Sequence, residues 1–294
     1  AEVHFAATWR LHLTAIYDDF PEESVWGSDS SSLILRIGEY DLSRRYVMMK
    51  MPFMSFREFL YLETGKVYPK YDFGADTLPM HPDADILHHF VDYRNYGTRP
   101  FYQNGDFEPR YLAVLDKVLN YDIPFFLPNI SDNNLRLMRA IVGTLANSSI
   151  PRVHVTSLCN DWSIGSDKLY QLLFIMESVE LLHIVRLQND KKAKSIGAKM
   201  LFSDPCAYHV LYADKGTERE SFVVSCFSQL GYKVEAMRDE KKGDYILSKL
   251  GEDSITVEVG GKNKKSKGAN FVLRDDVDYP VGNAIPFWLL GMMW

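Results

Sequence analysis

Apolar side chains recur at helical spacing near the start of the chain. Trp9, Leu13, Ile16 and Phe20 fall on one face of a helix, and Pro21 ends the pattern. A second helix is predicted for "SFREFLYLE", where Ser55 precedes the apolar run and Glu58 follows three residues later, the arrangement of a capping box. A third is predicted for "RYLAVLDKVLNYDIP".

Between residues 129 and 203 the pattern predicts three helices followed by a hairpin. The helices are "SDNNLRLMRAIVGTLANS", "HVTSLCNDW" and "SDKLYQLLFIMESV", and the strands are "LLHIVRL" and "KMLFSD", joined by the basic turn "QNDKKAKSIGA". This is the element order of a winged helix, whose third helix reads the DNA groove.

The winged-helix interpretation assigns DNA-binding roles to four lysines. Lys168 lies on the third helix, and the wing tip carries Lys191, Lys192 and Lys194. The same order also serves as an adaptor between proteins, or as a packing module with a solvated turn. The pattern leaves these alternatives open.

From residue 204 onward a helix is followed by a run of strands. The helix is "GTERESFVVSCFSQLG", and the strands are "YKVEAMRD", "GDYILSKLG" and "SITVEVGG". Together these patterns predict an α/β protein.

Composition limits the classes of protein that fit. A chain of 294 residues suggests two or three domains. The net charge of −6, from 33 basic and 39 acidic groups, excludes a wholly basic nucleic-acid coat but not a local basic face. Three cysteines without CxxC spacing indicate reduced thiols. No apolar run approaches the ~20 residues needed to cross a bilayer, so we expect a cytoplasmic protein with no membrane partner.

Four residues after 204 form a candidate catalytic set. Glu220 lies on the helix, Asp244 begins one strand, Glu258 lies on the next, and Lys262 follows it. Acids on adjacent strands offer the hard oxygen ligands that Mg²⁺ prefers, so Asp244 and Glu258 are the predicted metal ligands. This is the logic of the PD-(D/E)XK nuclease core, although the same order occurs in many α/β segments.

The candidate set departs from that core at one position. PD-(D/E)XK nucleases favour a lysine two residues after the glutamate, where both side chains share one strand face. Here Gly260 occupies that position, and Lys262 follows two residues later. Because glycines permit unusual turns, Lys262 is the residue predicted to fold back toward the site.

Several blocks of the chain resemble one known family. "VEVGGKNK", "DDVDYPVGNAIPFWLLGMMW" and the segment from "DLSRRYV" to "SFREFLYLETG" are similar to a prokaryotic AAA+-type P-loop ATPase family with a winged helix and a C-terminal PD-(D/E)XK-like domain. The resemblance implies ATP as a cofactor, DNA as a partner, and assembly with identical or other ATPase subunits. It covers nearly the whole chain, which matches the family's C-terminal two-thirds.

The resemblance also implies roles for residues near the start. Glu2 stands at the acidic end of the Walker B strand, and Ser30 falls at the end of the sensor strand. Arg44 and Arg45 match paired arginines, so the resemblance implies that they reach a γ-phosphate.

The chain departs from the family in its nucleotide site. No G-x-x-x-x-G-K-[ST] loop occurs in these 294 residues, and without it nothing cradles the phosphates. Ala1 stands where an aspartate is expected, and Asp29 where a glycine is expected. We therefore expect that this chain does not hydrolyse ATP by itself, whether it is truncated or degenerate.

The predicted fold has three parts: a partial P-loop ATPase core with a helical lid (1–128), a winged helix (129–203) and a PD-(D/E)XK-like α/β domain (204–294). The predicted function is that of a DNA-associated regulatory protein of the ATPase family. The alternatives are a Mg²⁺-dependent nuclease and a non-catalytic protein-interaction module.

Overall fold

The structure is a computed structural model with a mixed α/β fold. It describes residues 3, 6, 8–28, 42, 44–47, 49–75, 78–126, 130–149, 152–190 and 198–294. The predicted α/β class is confirmed at this level. In the described part of residues 1–128 no strand is present beyond an isolated bridge, so the sheets come from residues 182–286.

Helices dominate the first two-thirds of the chain. The α-helices are α1 (Trp9–Asp19), α2 (Phe56–Thr64), α3 (Ala84–Asp92), α4 (Phe107–Lys117), α5 (Ile123–Phe126), α6 (Asp132–Asn147), α7 (Val155–Trp162), α8 (Ser166–Ser178), α9 (Cys206–Val210), α10 (Lys215–Gln229) and α11 (Phe287–Leu290). Two π-helical turns (Tyr93–Gly97 and Val118–Asp122) and a 3-10 helix (Pro100–Asn104) connect them.

The strands form two sheets. They are β1 (Leu182–Val185), β2 (Lys199–Phe202), β3 (Lys233–Ala236), β4 (Tyr245–Ser248), β5 (Ile255–Gly260), β6 (Phe271–Arg274) and β7 (Ala284–Pro286). Strands β1 and β2 pair as an antiparallel hairpin. The other five follow chain order, with β3, β4 and β5 antiparallel to one another and β6 and β7 joined in parallel beyond β5.

Local signals in the sequence explain several element boundaries. The capping box predicted at the start of α2 is present, since the Ser55 hydroxyl caps the helix and the Glu58 carboxylate accepts from the Ser55 backbone N–H at 2.7 Å. Helix α8, by contrast, has Gly165 at its N-cap, with no side-chain cap.

The element order predicted for residues 129–203 is confirmed. Helices α6, α7 and α8 precede the β1–β2 hairpin, and Arg152, between α6 and α7, bridges antiparallel to Lys199 of β2. The apolar faces of these helices and the hairpin share one core, which extends to Leu119 and Tyr208. The use of this unit to read DNA stays a prediction.

The second core does not follow the predicted division at residue 128. Helices α2 and α3 pack their buried side chains into the same cluster as α10, the five-stranded sheet and the last residues of the chain. The Phe56 backbone N–H donates to Gly291 O at 2.8 Å, and the Trp294 indole donates to Phe53 O at 3.1 Å. The described residues between 53 and 102 therefore pack into one core with the C-terminal sheet.

The hairpin is joined to the five-stranded sheet. Leu187, just beyond β1, bridges in parallel to Ala236 on β3, and the Gln188 backbone N–H donates to Ala236 O at 2.8 Å. This junction brings β2 close to the helix and strands that carry the candidate catalytic residues. Across the described residues, no helix combines the length and apolar character that crossing a membrane requires.

Candidate functional site

Asp244 and Glu258 lie close together at the junction of β4 and β5. Tyr245 pairs with Val257 in the antiparallel register of the two strands, and Asp244 immediately precedes β4. The Asp244 backbone N–H donates to Val257 O at 2.9 Å. The ammonium of Lys264 lies at ion-pair distance from both carboxylates, so the two predicted metal ligands are brought together.

The approach of Asp244 to β5 depends on the residue before it. Gly243 has a φ of 134°, and a Cβ atom there would lie 3.0 Å from Val257 O. Any other residue would be strained in this conformation and crowded against the strand. The turn also fixes the carboxylate, because the Val259 backbone N–H donates to Asp244 Oδ2 at 2.9 Å.

Glu258 is the most buried acid of the site. Its side chain has 0% exposure, and the ammonium groups of Lys264 and Lys267 lie 2.8 and 2.9 Å from its Oε1 atom. Both ammonium groups approach the same oxygen, whereas Oε2 has no hydrogen-bond partner among the described residues. One oxygen of this fully buried carboxylate is thus paired with two cations, and the other is not paired within the described part of the chain.

Lys264 reaches both acids. Its Nζ lies 3.6 Å from Asp244 Oδ2 as well as 2.8 Å from Glu258 Oε1. Partial burial disfavours the charged ammonium, but the contact with Glu258 and the charge of Asp244 outweigh this and raise the pKa of Lys264 above its usual value. The lysine is therefore protonated at neutral pH.

The lysines at the site differ from the one predicted. Lys262 is exposed and forms no ion pair with Glu258 in the described part of the chain, whereas Lys264 and Lys267 do. The sequence held one signal for this, namely that Gly260 leaves empty the strand position next to Glu258. It held no signal for which lysine of "KNKKSK" would turn inward.

Glu220 on α10 has a different environment. Its Oε2 accepts from the ammonium of Lys199 at 2.7 Å and from the hydroxyl of Tyr245, and both Glu220 and Lys199 are buried. Burial, followed by the charge of Glu220, raises the pKa of Tyr245 well above its usual value, so the phenol keeps its proton. Glu220 therefore ties β2 to the five-stranded sheet.

The residues predicted to handle ATP or DNA lie apart from this cluster or outside the described residues. Arg44 is exposed, and Arg45 donates from Nε and Nη2 to both oxygens of Asp18 at 2.9 and 3.0 Å. Lys168 lies half-buried in the first turn of α8. The remaining predicted residues fall outside the described part of the chain: Glu2, Ser30, Lys191, Lys192 and Lys194.

The donor set at Asp244 and Glu258 fits a magnesium ion. Hard carboxylate oxygens suit Mg²⁺, which commonly binds one or two carboxylates and keeps several waters. Within the described ranges no group of three or more His, Cys, Asp or Glu side chains could hold a metal ion. An ion at this site would therefore have to be held by the two carboxylates, with water as its other ligands. The unpartnered Glu258 Oε2 is the oxygen available to a cation.

A second buried charge cluster lies on the far side of Gly260. Arg94 donates from Nε to Glu218 Oε1 at 2.9 Å, also contacts Glu218 Oε2, and donates from Nη1 to Asp275 Oδ1 at 2.6 Å. Arg219 donates to the other Asp275 oxygen at 2.8 Å. The Asp275 backbone N–H donates to Gly260 O at 2.9 Å, which connects the two clusters.

Comparison with known proteins identifies no relative of this chain. No family model, no curated protein and no solved structure matches the chain. The resemblance of the sequence blocks to the AAA+-type ATPase family therefore stays a prediction.

Proposed function

We propose that this chain is a DNA-associated protein of the AAA+-type ATPase family whose five-stranded sheet carries a magnesium-dependent phosphodiester site. One observation carries the proposal. Glu258 is fully buried, shares the Lys264 ammonium with Asp244, also contacts Lys267, and has an oxygen without a hydrogen-bond partner among the described residues.

The energetics favour a functional reason for this arrangement. Leaving a buried polar atom without its hydrogen bond costs about 1–3 kcal/mol, and more for a charged group. A buried ion pair is itself weak evidence for stability, since an apolar replacement is often equally stable.

Each residue of the site has a chemical role in this proposal. Asp244 and Glu258 would hold the magnesium ion, which supplies Lewis-acid charge stabilisation when bound. The lysines place positive charge beside the acids, where the anionic phosphate of DNA would sit. In the hydrolysis, water adds to phosphorus and the bond to the leaving oxygen breaks. One proton ends on that oxygen and the other leaves to solvent.

The test uses the purified chain with supercoiled and linear DNA in Mg²⁺, Mn²⁺ or Ca²⁺. We expect cleavage in Mg²⁺ or Mn²⁺ that is lost in Glu258→Gln. Glu252→Gln is the matched control, because Glu252 is an exposed acid that accepts from Tyr232 at 2.8 Å. No cleavage by the wild-type chain under any of these metals would refute the enzymatic part.

A second candidate is a non-catalytic, DNA-associated regulatory protein. The favouring observation is that Lys199 and Tyr245 both donate to Glu220 Oε2, while Lys264 and Lys267 pair with Glu258. This candidate predicts DNA binding that weakens with salt, because phosphate contacts release counterions, and no cleavage. Both candidates predict no ATP hydrolysis above background, since the chain lacks a phosphate loop.

A further inference from the structure

We propose that Lys264 supplies the phosphate-facing ammonium group of this site by passing its side chain through the space left by Gly260. The inference rests on the proposed phosphodiester chemistry and deepens it. It replaces Lys262, which the sequence predicts, by a residue four positions after Gly260 that enters the same strand face.

The space above Gly260 carries the inference. Residues two apart on a strand share a face, so a side chain at position 260 would lie beside Glu258. A Cβ atom built on Gly260 would lie 2.7 Å from Lys264 Cδ, 2.8 Å from its Cγ and 3.0 Å from its Cβ. The Lys264 stem therefore occupies the volume that a lysine two residues after Glu258 would fill.

The loop after β5 holds Lys264 in this direction. The Lys264 backbone N–H donates to Gly261 O at 3.0 Å and closes a turn. Its carbonyl accepts from Arg274 Nε on β6 at 3.0 Å. With the backbone fixed at both sides, the side chain runs back over Gly260 and ends between the two carboxylates.

Lys267 differs from Lys264, although it contacts the same oxygen. Its side chain is 46% exposed, against 30% for Lys264, and its ion pair in the described residues is with Glu258. Lys264 also reaches Asp244. When a cation binds the carboxylates, Lys267 is the group free to withdraw to solvent, while Lys264 is kept in place by its packed stem.

In the reaction, Lys264 acts as a charge and keeps its proton. As water adds to phosphorus and the bond to the leaving oxygen breaks, negative charge grows on the non-bridging oxygens. The fixed ammonium neutralises that charge without moving. This role needs position rather than proton transfer, which is why the packing over Gly260 matters.

The activity test compares four variants of the full chain with wild type, and Glu258→Gln serves as the inactive reference. Removing one such fixed charge typically costs about 100-fold in rate, so we expect that loss for Lys264→Met. Lys265→Met, an exposed neighbour in the same loop, should stay within about twofold. In Gly260→Lys/Lys264→Ala the lysine is placed on the strand itself, two residues after Glu258. The cleavage rate of this variant should be at least tenfold higher than that of Lys264→Ala. Lys264→Met activity near that of wild type, with Glu258→Gln inactive, would overturn the inference.

Two further readouts do not depend on cleavage. Gly260→Ala should lower Tm because its Cβ would meet the Lys264 stem, and Lys264→Ala in the same chain should recover most of that loss. Gly261→Ala is the control, since its nearest neighbour is Arg219 at 3.6 Å. Calorimetric titration with Mn²⁺ should show binding to Lys264→Met at least as tight as to wild type, and tighter binding to Lys267→Ala.

These readouts separate the two levels of the proposal. If the wild-type chain neither binds Mn²⁺ nor cleaves DNA, the proposed function fails, and the phosphate role of Lys264 fails with it. If wild type cleaves and the Gly260→Ala loss is not recovered by Lys264→Ala, only the inference about the side-chain path fails.

Discussion

Two buried charge clusters meet at Gly260, and they differ in how completely their charges are satisfied. In the Arg94 cluster the guanidinium donates to Glu218 and Asp275, and Arg219 donates to the second Asp275 oxygen. In the Glu258 cluster two ammonium groups share Oε1 at ion-pair distance, but Oε2 has no hydrogen-bond partner among the described residues.

The difference separates a structural ion network from a candidate reactive site. A buried charge is stabilising only when its geometry is good and its remaining donors and acceptors are satisfied. The Arg94 cluster meets this condition, and its guanidinium also lies over the rings of Phe90 and Phe287. The Glu258 cluster does not meet this condition, so burying the Glu258 carboxylate costs free energy of folding.

The largest expected effect tests the structural side of this comparison. Arg94→Met keeps an apolar stem against the aromatic rings but leaves Glu218 without its partner and Asp275 with Arg219 alone. Breaking a buried pair in this way costs about 3–5 kcal/mol. Urea unfolding followed by circular dichroism measures the free energy of unfolding.

The control for this variant is Arg110→Met, since Arg110 is exposed and donates to Gly105 O. We expect it to change the free energy of unfolding by less than about 0.5 kcal/mol. A loss of less than about 1 kcal/mol in Arg94→Met would mean that the network is not the structural cluster described above.

Glu258→Gln tests the functional side. The amide keeps the shape of the side chain and removes its charge, so metal-dependent cleavage should fall at least about 100-fold, because Lewis-acid stabilisation is worth several kcal/mol. Stability should fall by less than in Arg94→Met, because Glu258→Gln removes the partner of two ammonium groups that are themselves partly exposed. A variant that loses stability and keeps activity would reverse the roles assigned to the two clusters.

The pH dependence of stability sharpens the comparison further. Burial disfavours the charged form of Asp275, but Arg94 and Arg219 outweigh it and hold its pKa below the usual value. A carboxyl with a lowered folded pKa contributes stability that is complete above the unfolded pKa of about 3.9 and is lost as pH falls through the folded pKa. Arg219→Gln should therefore lower the free energy of unfolding at neutral pH by about 1–2 kcal/mol. The midpoint of acid unfolding should move to higher pH.

Two points make the acid titration interpretable. Glu218 changes stability with pH in the opposite direction to Asp275. Burial outweighs the charge of Arg94 and raises the pKa of Glu218. The stability that Glu218 contributes is therefore lost as pH rises through its folded pKa. The comparison with a matched variant isolates Asp275. Lys215→Gln is suitable, since Lys215 makes only a 4.0 Å surface contact with Asp276, and an unshifted acid midpoint in Arg219→Gln would contradict the assignment.

Local patterns predicted the parts of the fold that depend on nearby residues. The order of the predicted strands was enough to place Asp244 and Glu258 on consecutive strands, because apolar runs bounded by turn residues mark β4 and β5. The periodicity of residues 132–178 predicted three helices in the right order, since each buries one apolar face.

The rest depends on contacts between distant residues. Nothing local in "SFREFLYLE" indicates that Phe56 pairs with Gly291, and nothing in Lys199 indicates a buried partner at Glu220. The choice of Lys264 over Lys262 follows from a turn at Gly261 and from the carbonyl contact with Arg274. The spacing of residues along the chain predicts neither the turn nor the contact with Arg274.

The smallest expected effect comes from an exposed ion pair that serves as a third case in the comparison. Arg45 donates to both oxygens of Asp18, and the hydrogen bond lowers the pKa of that carboxyl, yet both groups lie at the surface. Exposed pairs contribute little, because water and salt screen them and two side chains must be ordered. Arg45→Ala should therefore leave Tm unchanged within error at low and high salt, measured by differential scanning calorimetry beside Arg94→Met. A clear fall in Tm for Arg45→Ala at low salt would show that bidentate geometry, rather than burial, decides which ion pairs hold this fold together.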